Sequence, residues 1–433
     1  MARFLVAATP AAGHVNPVLP IVRALIAGGH EVRLTTGPQF AAAGAAAGAE
    51  VVPLPPDAFI DAATLDQRYP DRAGLSGVRL VRHDLVHFFT APAAAQARHL
   101  LALLAAEPTD VLLADTGFVG ASLAAERSGR PLGVYGITVF PYASRDVAPF
   151  GFALPPRADR LGRLRNRALG ALLRRAVAGP SVAALDRQRA LVGLPPAGRT
   201  VLDWTERVAL YLQLSPPGFD YPRSDLPAVV HWTGMPEPPA PAGWTPPPWW
   251  DELAGRRVVF VTQGTVATDP DQLLRPALAG LADLDVLVVA VTGGADPVVL
   301  GPLPANARAA PYLPYGPMLS RAAVAVTNGG FGGVQVALGH GVPLVVAGKT
   351  EDKAEVGARV AWSGIGVDLR TQHPSPAALR AAVRRVLDTP AYAARARDLA
   401  AQAPAVDAPE RAAALLATLA ATGRPVPREL SAR

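Results

Sequence analysis

The chain has 433 residues, half of them hydrophobic, with 18% charged and a net charge of +6. That length favours two domains over a single hydrophobic core, and that balance is the profile of a globular chain rather than a disordered one. With no cysteine, disulfides, thiolate catalysis and cysteine–metal sites are excluded.

In the first half, "RFLVAAT" (3–9), "EVRLTT" (31–36), "VVPLP" (51–55), "DVLLAD" (110–115) and "PLGVYGIT" (131–138) read as buried strands. Between them lie amphipathic helix patterns such as "PVLPIVRALIAGG" (17–29) and "TGFVGASLAAERSG" (116–129), each stopped by glycine. The stretch "RADRLGRLRNRALGALLRR" (157–175) reads as one helix with a basic face. A proline-rich segment over 234–257 is unsuited to either element and reads as a linker. After it the alternation resumes with "RRVVFVTQG" (256–264), "DVLVVAVTG" (285–293), "ARAAPYL" (307–313), "AAVAVTN" (322–328) and "PLVVAG" (343–348). This order predicts an α/β chain of two Rossmann-like domains whose parallel sheets are covered on both faces. The expected division is 1–230, a linker at 231–255, 256–405, and a final helix and tail at 406–433.

Elsewhere the arginines are scattered among acids, with no dense basic stripe and no aromatic platform, which argues against nucleic acid as a partner. No uninterrupted apolar run is long enough to span a bilayer, and the first residues lack a signal peptide's apolar region, so a cytoplasmic location is expected.

In open parallel sheets ligands bind beyond the strands' carboxyl ends. Polar and glycine residues cluster there: His14 after the first strand, Asp115 after the fourth, "QGT" (263–265), Asn328 with its glycines, and "KTEDKAE" (349–355). The run "VTNGGFGGVQVALGHGVP" (326–343) aims backbone N–H groups and a helix start at one spot, an anion site. Its spacing is neither the dinucleotide fingerprint nor a P-loop. The only two lysines, Lys349 and Lys353, stand almost side by side in the last loop.

These residues resemble a family. "GHVNP" (13–17), "QGT" (263–265) and the block from "PYLPYGPML" (311–319) to "EDKAEVGARVAWSGIGVDL" (351–369) are similar to the nucleotide-sugar-dependent GT-B glycosyltransferases that include bacterial macrolide glycosyltransferases and plant UDP-glycosyltransferases. The resemblance covers nearly the whole chain and implies parallel sheets facing an interdomain cleft. It implies an inverting, metal-independent transfer of a sugar from a UDP- or dTDP-linked donor to a hydroxyl of a hydrophobic small molecule. The nucleotide sugar is then a co-substrate, and no cofactor is expected.

The resemblance makes His14 the base for the acceptor hydroxyl and Asp115 the carboxylate that orients it; each could otherwise be a helix cap. The anion becomes the donor's diphosphate, held by Asn328, Gly329, Gly330, Gly332 and Gly333, with a further contact from Thr265. The alternative for the glycines is tight strand–helix packing. Asn328 stands where relatives carry histidine and can donate a neutral hydrogen bond; Gly333 stands where they carry a hydroxyl. Tyr312 is placed to stack on the base and Leu313 to pair with it through its backbone, while Tyr315 replaces a glutamine. Val336 stands where relatives hold the ribose with glutamate, Gln335 being on another helical face. Asp352 and Lys353 replace the family's sugar-binding Asp–Gln pair; the bland reading of this segment is a capped, solvated helix start.

"DPD" (269–271) mimics a metal-binding DxD but reads better as a helix start. His83, Asp84 and His87 share a possible helix face without a further ligand at suitable spacing. Phe88, Phe89, Phe140, Tyr142, Phe150 and Phe152 are candidates for an apolar acceptor pocket, with core packing as the alternative. The helix "APERAAALLATLAAT" (408–422) is expected to cross back to the first domain, as in relatives. Two other readings are a catalytically silent helper of the same fold and a nucleotide-sugar epimerase.

Overall fold

The computed structural model describes every residue except 61–64, 238–239, 242, 265–268, 404–406 and 429–433. Thirteen parallel strands form two sheets among the described residues. The first comprises β1 (Arg3–Ala7), β2 (Glu31–Thr36), β3 (Glu50–Pro53), β4 (Val111–Asp115), β5 (Leu132–Gly136), β6 (Leu210–Gln213) and β7 (Val230–Trp232), in the order 3-2-1-4-5-6-7. The second comprises β8 (Val258–Thr262), β9 (Leu287–Val291), β10 (Ala307–Ala310), β11 (Ala322–Thr327), β12 (Leu344–Val346) and β13 (Gly366–Asp368), in the order 10-9-8-11-12-13. Each sheet therefore reverses its strand order at one point, between β1 and β4 and between β8 and β11. A crevice opens there beyond the carboxyl ends.

The ten strands expected from apolar runs are present. β6, β7 and β13 were not expected, and β7 falls across the start of the expected linker. Strands β4, β5, β8 and β9 are buried at every residue, which is why they read as continuous apolar runs rather than alternating ones.

The helix Val18–Ala27 buries Val18, Ile21, Val22 and Leu25 on one stripe and ends at Gly28. Against it lies the last helix, Ala408–Thr422, which buries Ala412, Leu416 and Leu419 on the first domain. A side chain at Gly133 of β5 would come within 3.3 Å of Leu416 Cδ2, so glycine lets this helix sit close. The tail continues along the same domain, where Val426 N donates to Ala209 O at 2.9 Å and Arg428 N to Ala228 O at 2.7 Å. The C-terminal segment thus returns to the first sheet.

The proline-rich segment packs on the second domain. Trp250 is buried, with Arg321 over its ring, and Glu237 Oε2 lies 2.6 Å from His340 Nε2. The basic stretch is helical over Arg160–Leu172, capped by Asp159, and continues to Ala190. This run, Arg160–Ala190, is long and apolar enough to cross a membrane by length and composition. That differs from the expectation, because short residues beyond 167 raise its hydropathy. Arg174 and Arg175 lie in its middle, and Arg189 pairs with Glu126 of the first domain at 2.7 Å. It is bound as a domain helix.

Candidate active site

β1 ends in "TP", and the chain turns through a single helical turn, Ala12–Val15, that carries His14. β4 ends on Asp115, which is fully buried. Because β1 and β4 are neighbours, the two side chains meet: His14 Nδ1 lies 2.8 Å from Asp115 Oδ1. The carboxylate also accepts from Thr9 N at 2.6 Å, Thr9 Oγ1 at 3.1 Å and Gly117 N at 2.6 Å. A carboxylate so supplied with donors is an acceptor only. Nδ1 therefore carries the ring proton and Nε2 is left with a free lone pair. Tyr135 Oη donates to the His14 carbonyl at 3.0 Å and fixes the turn; burial raises this phenol well above its usual range.

The imidazole lies at a small recess of about 20 Å³, lined by Phe59, Ile60, Phe88, Phe89 and Pro92 together with Thr9, Gln96 and Gly117. Two of the aromatic candidates, Phe88 and Phe89, therefore reach the base. Phe140 and Tyr142 do not: both are buried in a cluster with Tyr211, and they serve the core. Phe150 is half-buried against the core and Phe152 is half-buried. His83 and His87 do share a face, with ring centroids 4.4 Å apart and Tyr69 against both. Among the described residues no three His, Asp or Glu side chains are grouped as metal ligands. "DPD" precedes the helix Leu274–Leu281, with Asp271 paired to Arg275 at 2.8 Å.

Across the crevice, β11 runs into Asn328. Its side-chain amide donates to Gln263 O at 2.5 Å and its Oδ1 accepts from Gly330 N at 3.3 Å. Asn328 thus ties together the loops that follow β8 and β11, and its side-chain amide has a second N–H besides. Gly329 has φ +87°, and a Cβ there would lie 2.6 Å from Val346 Cγ1, so conformation and space both require glycine. The helix Phe331–Gly339 begins at Gly330 with no side-chain cap, so its first N–H groups, including those of Gly332 and Gly333, have no intrahelical acceptor. A Cβ at Gly333 would lie 3.3 Å from Tyr315 Oη, so that phenol fills the space a larger residue would take. Tyr315 hydrogen-bonds the Thr262 side chain and packs edge-on to Phe260. Thr265 lies outside the described residues.

Tyr312 is 52% exposed beyond β10, open to stack, while Leu313 is buried in the core. Val336 is buried. Gln335 is buried too, and neither of its side-chain polar atoms has a hydrogen-bond partner among the described residues.

The segment read as a possible solvated helix start is buried at Lys353, Glu355 and Arg359. Asp352 does not cap its own helix; its Oδ2 accepts from Thr138 Oγ1 of the first domain at 2.6 Å. Burial raises the Asp352 pKa, with the Thr138 hydroxyl and nearby His14 opposing that rise. Lys353 Nζ bonds Thr350 Oγ1 at 3.0 Å and also Glu351, and burial lowers its pKa. Thr138 was missed, although it follows β5 as His14 follows β1. Glu355 was missed because its partners are backbone groups of the other domain.

Two doubly wound sheets, with a histidine held by a buried carboxylate at the end of one and a glycine-lined helix start after a strand of the other, define a GT-B glycosyltransferase. Residues 275–419 match the family model described as erythromycin biosynthesis protein CIII-like, C-terminal domain. The chain is 45% identical over 413 residues to 4'-demethylrebeccamycin synthase of Lentzea aerocolonigenes, covering 94% of this chain and 98% of that protein. It is 33% identical over 422 residues to UDP-glucosyltransferase 1 of Beauveria bassiana, covering 90% of each. Its fold superposes on that of CalG4, the calicheamicin glycosyltransferase, with a TM-score of 0.73 and 25% identity, over 98% of this chain and 99% of that one. The chain belongs to the family of nucleotide-sugar glycosyltransferases that holds these proteins.

Proposed function

We propose that the chain is an inverting, metal-independent glycosyltransferase. It moves a sugar from a UDP- or dTDP-linked donor to a hydroxyl of a hydrophobic natural-product acceptor. The observation that carries this reading is the His14–Asp115 pair at 2.8 Å, at the mouth of a recess walled by Phe59, Phe88 and Phe89. An acceptor placed there brings its hydroxyl to Nε2. As the oxygen attacks the anomeric carbon, Nε2 takes its proton, and the C–O bond to the diphosphate breaks on the opposite face. The electron pair passes to the diphosphate, whose charge is met by the N–H groups at the start of the helix Phe331–Gly339. Asp115 stabilises the imidazolium that forms. Asp352, hydrogen-bonded to Thr138 across the cleft, is the acceptor for sugar hydroxyls.

The acceptor class is supported by the apolar recess and by relatives whose names refer to rebeccamycin and calicheamicin. A uridine donor is supported by the relatives named UDP-glucosyltransferases. The test is a product assay by mass spectrometry, with UDP- and dTDP-glucose and a panel of phenols and polyketide aglycones. A glycoside formed by the wild type and absent with His14→Ala supports the reading. Isomerised donor without glycoside, or undiminished turnover by the variant, overturns it.

A further inference from the structure

The helix Lys353–Ser363 belongs to the donor domain, yet two of its buried charges, Glu355 and Arg359, find partners in the other domain. Glu355 Oε1 accepts from Gly151 N at 2.8 Å and from Ala153 N at 2.7 Å. Ala153 has φ +49° and Gly151 φ +100°, so the loop is bent into a concavity of N–H groups that suits an anion. The anion is the Glu355 carboxylate. Its other oxygen accepts from Arg359 NH1 at 2.7 Å, and Arg359 Nε donates to Asp220 Oδ1 at 2.7 Å. Tyr221 lies under the Arg359 guanidinium, 4.1 Å from its ring centroid. Asp220, Glu355 and Arg359 are all buried.

The same loop is held at its other end. Thr138 binds Asp352, three residues before Glu355 on the first turn of the same helix. Segment 138–153 is thus clamped at both ends by one turn of the donor domain, beside His14. If Asp352 exchanges Thr138 for a sugar hydroxyl, Glu355 is the clamp that remains.

We infer that Glu355 is a positioning residue across the cleft: from the donor domain it holds the 149–153 loop, the far end of a segment that begins at Thr138 against Asp352. This rests on the glycosyltransferase reading above. Its geometry accounts for a carboxylate rather than an apolar residue at this buried position, since two backbone donors would otherwise be left unpaired.

The experiment compares wild type, Glu355→Gln and Glu355→Ala. Glu355→Gln keeps an oxygen for the two N–H groups but loses the charge facing Arg359. Hydrogen–deuterium exchange reads the loop directly. In Glu355→Ala, exchange at 149–153 is expected to rise about ten-fold or more, with a smaller rise in Glu355→Gln. Calorimetric affinity for UDP is expected to stay within about two-fold in both. With UDP-glucose and 4-methylumbelliferone, acceptor KM is expected to rise about five-fold or more in Glu355→Ala, with kcat less affected. Unchanged exchange overturns the inference. So does a released loop with unchanged acceptor KM, which makes Glu355 a structural brace, or a parallel loss of UDP affinity, which places its effect on the donor site. A wild type that binds UDP but glycosylates no acceptor fails the glycosyltransferase reading instead; the exchange arm still decides whether Glu355 holds the loop.

Discussion

Thr138 Oγ1 donates to Asp352 Oδ2 at 2.6 Å, joining the end of β5 in one domain to the start of a helix in the other. One oxygen of the carboxylate assigned to the donor sugar is therefore already engaged, and a sugar hydroxyl competes for it. Thr138→Ala frees that oxygen of Asp352. The expected outcome is a donor KM lowered several-fold, in line with about 1 kcal/mol for one exchanged hydrogen bond. Asp352→Ala acts in the opposite sense and raises donor KM about ten-fold or more, through the loss of charge-assisted bonds. UDP alone carries no sugar, so its calorimetric affinity is expected to change little in either variant.

The pair His14–Asp115 makes a separable prediction. His14→Ala removes the base and is expected to lower kcat by about 10²–10⁴, with UDP affinity unchanged. Asp115→Asn keeps the shape but places an amide beside Nδ1 and can turn the proton to Nε2, the wrong tautomer for a base. Its kcat is expected to fall as well. Single-turnover rates with saturating donor check both variants, since they read chemistry apart from product release.

Gly329 tests the glycine loop. Alanine there must hold φ +87° and place Cβ 2.6 Å from Val346 Cγ1. Backbone strain alone costs about 1–3 kcal/mol, and the loop or β12 must also shift. The expected result for Gly329→Ala is a lower melting temperature together with UDP affinity weakened about ten-fold or more, because the same shift moves the N–H groups meant for the diphosphate. Gly332→Ala is the control: a Cβ there meets nothing within 4 Å, so stability is expected to hold.

The strands that build the site were readable because they are continuous apolar runs ending in a polar residue, as β4 does at Asp115 and β11 at Thr327, just before Asn328. β7 and β13 are three residues long, and β6 carries Tyr211 and Gln213 in its buried run; such strands give little periodic signal. The polar residues that follow neighbouring strands meet, as His14 after β1 does with Asp115 of β4. What could not be read was pairing over long separations. Thr138 and Asp352 are 214 residues apart, and nothing local in either stretch names the other. The tie from Asn328 to Gln263 O was hidden for the same reason, because that partner belongs to another strand's loop. Phe140 and Phe88 are the same residue type in similar company, and only the fold sends one to the core and the other to the recess.

The buried charges between the domains predict how acid opens the cleft. Burial alone would raise the Asp220 carboxyl, but the guanidiniums of Arg359 and Arg223 outweigh it and hold the pKa below its ordinary value of 3.8. The folded state therefore binds fewer protons at Asp220 than the unfolded state does. This contribution to stability is fully present above the unfolded pKa and is lost as pH falls through the lower folded value. Asp220→Asn removes that dependence and leaves Arg359 and Arg223 short of a counter-charge, a loss of about 3–5 kcal/mol for breaking a buried pair. Melting temperatures from pH 7 down to pH 3 check this. The gap between wild type and variant is expected to be widest near neutrality and to narrow below about pH 4, where the Asp220 carboxyl of the unfolded chain begins to bind its proton. A gap that stays constant across that range assigns the loss to packing rather than to the ion pairs.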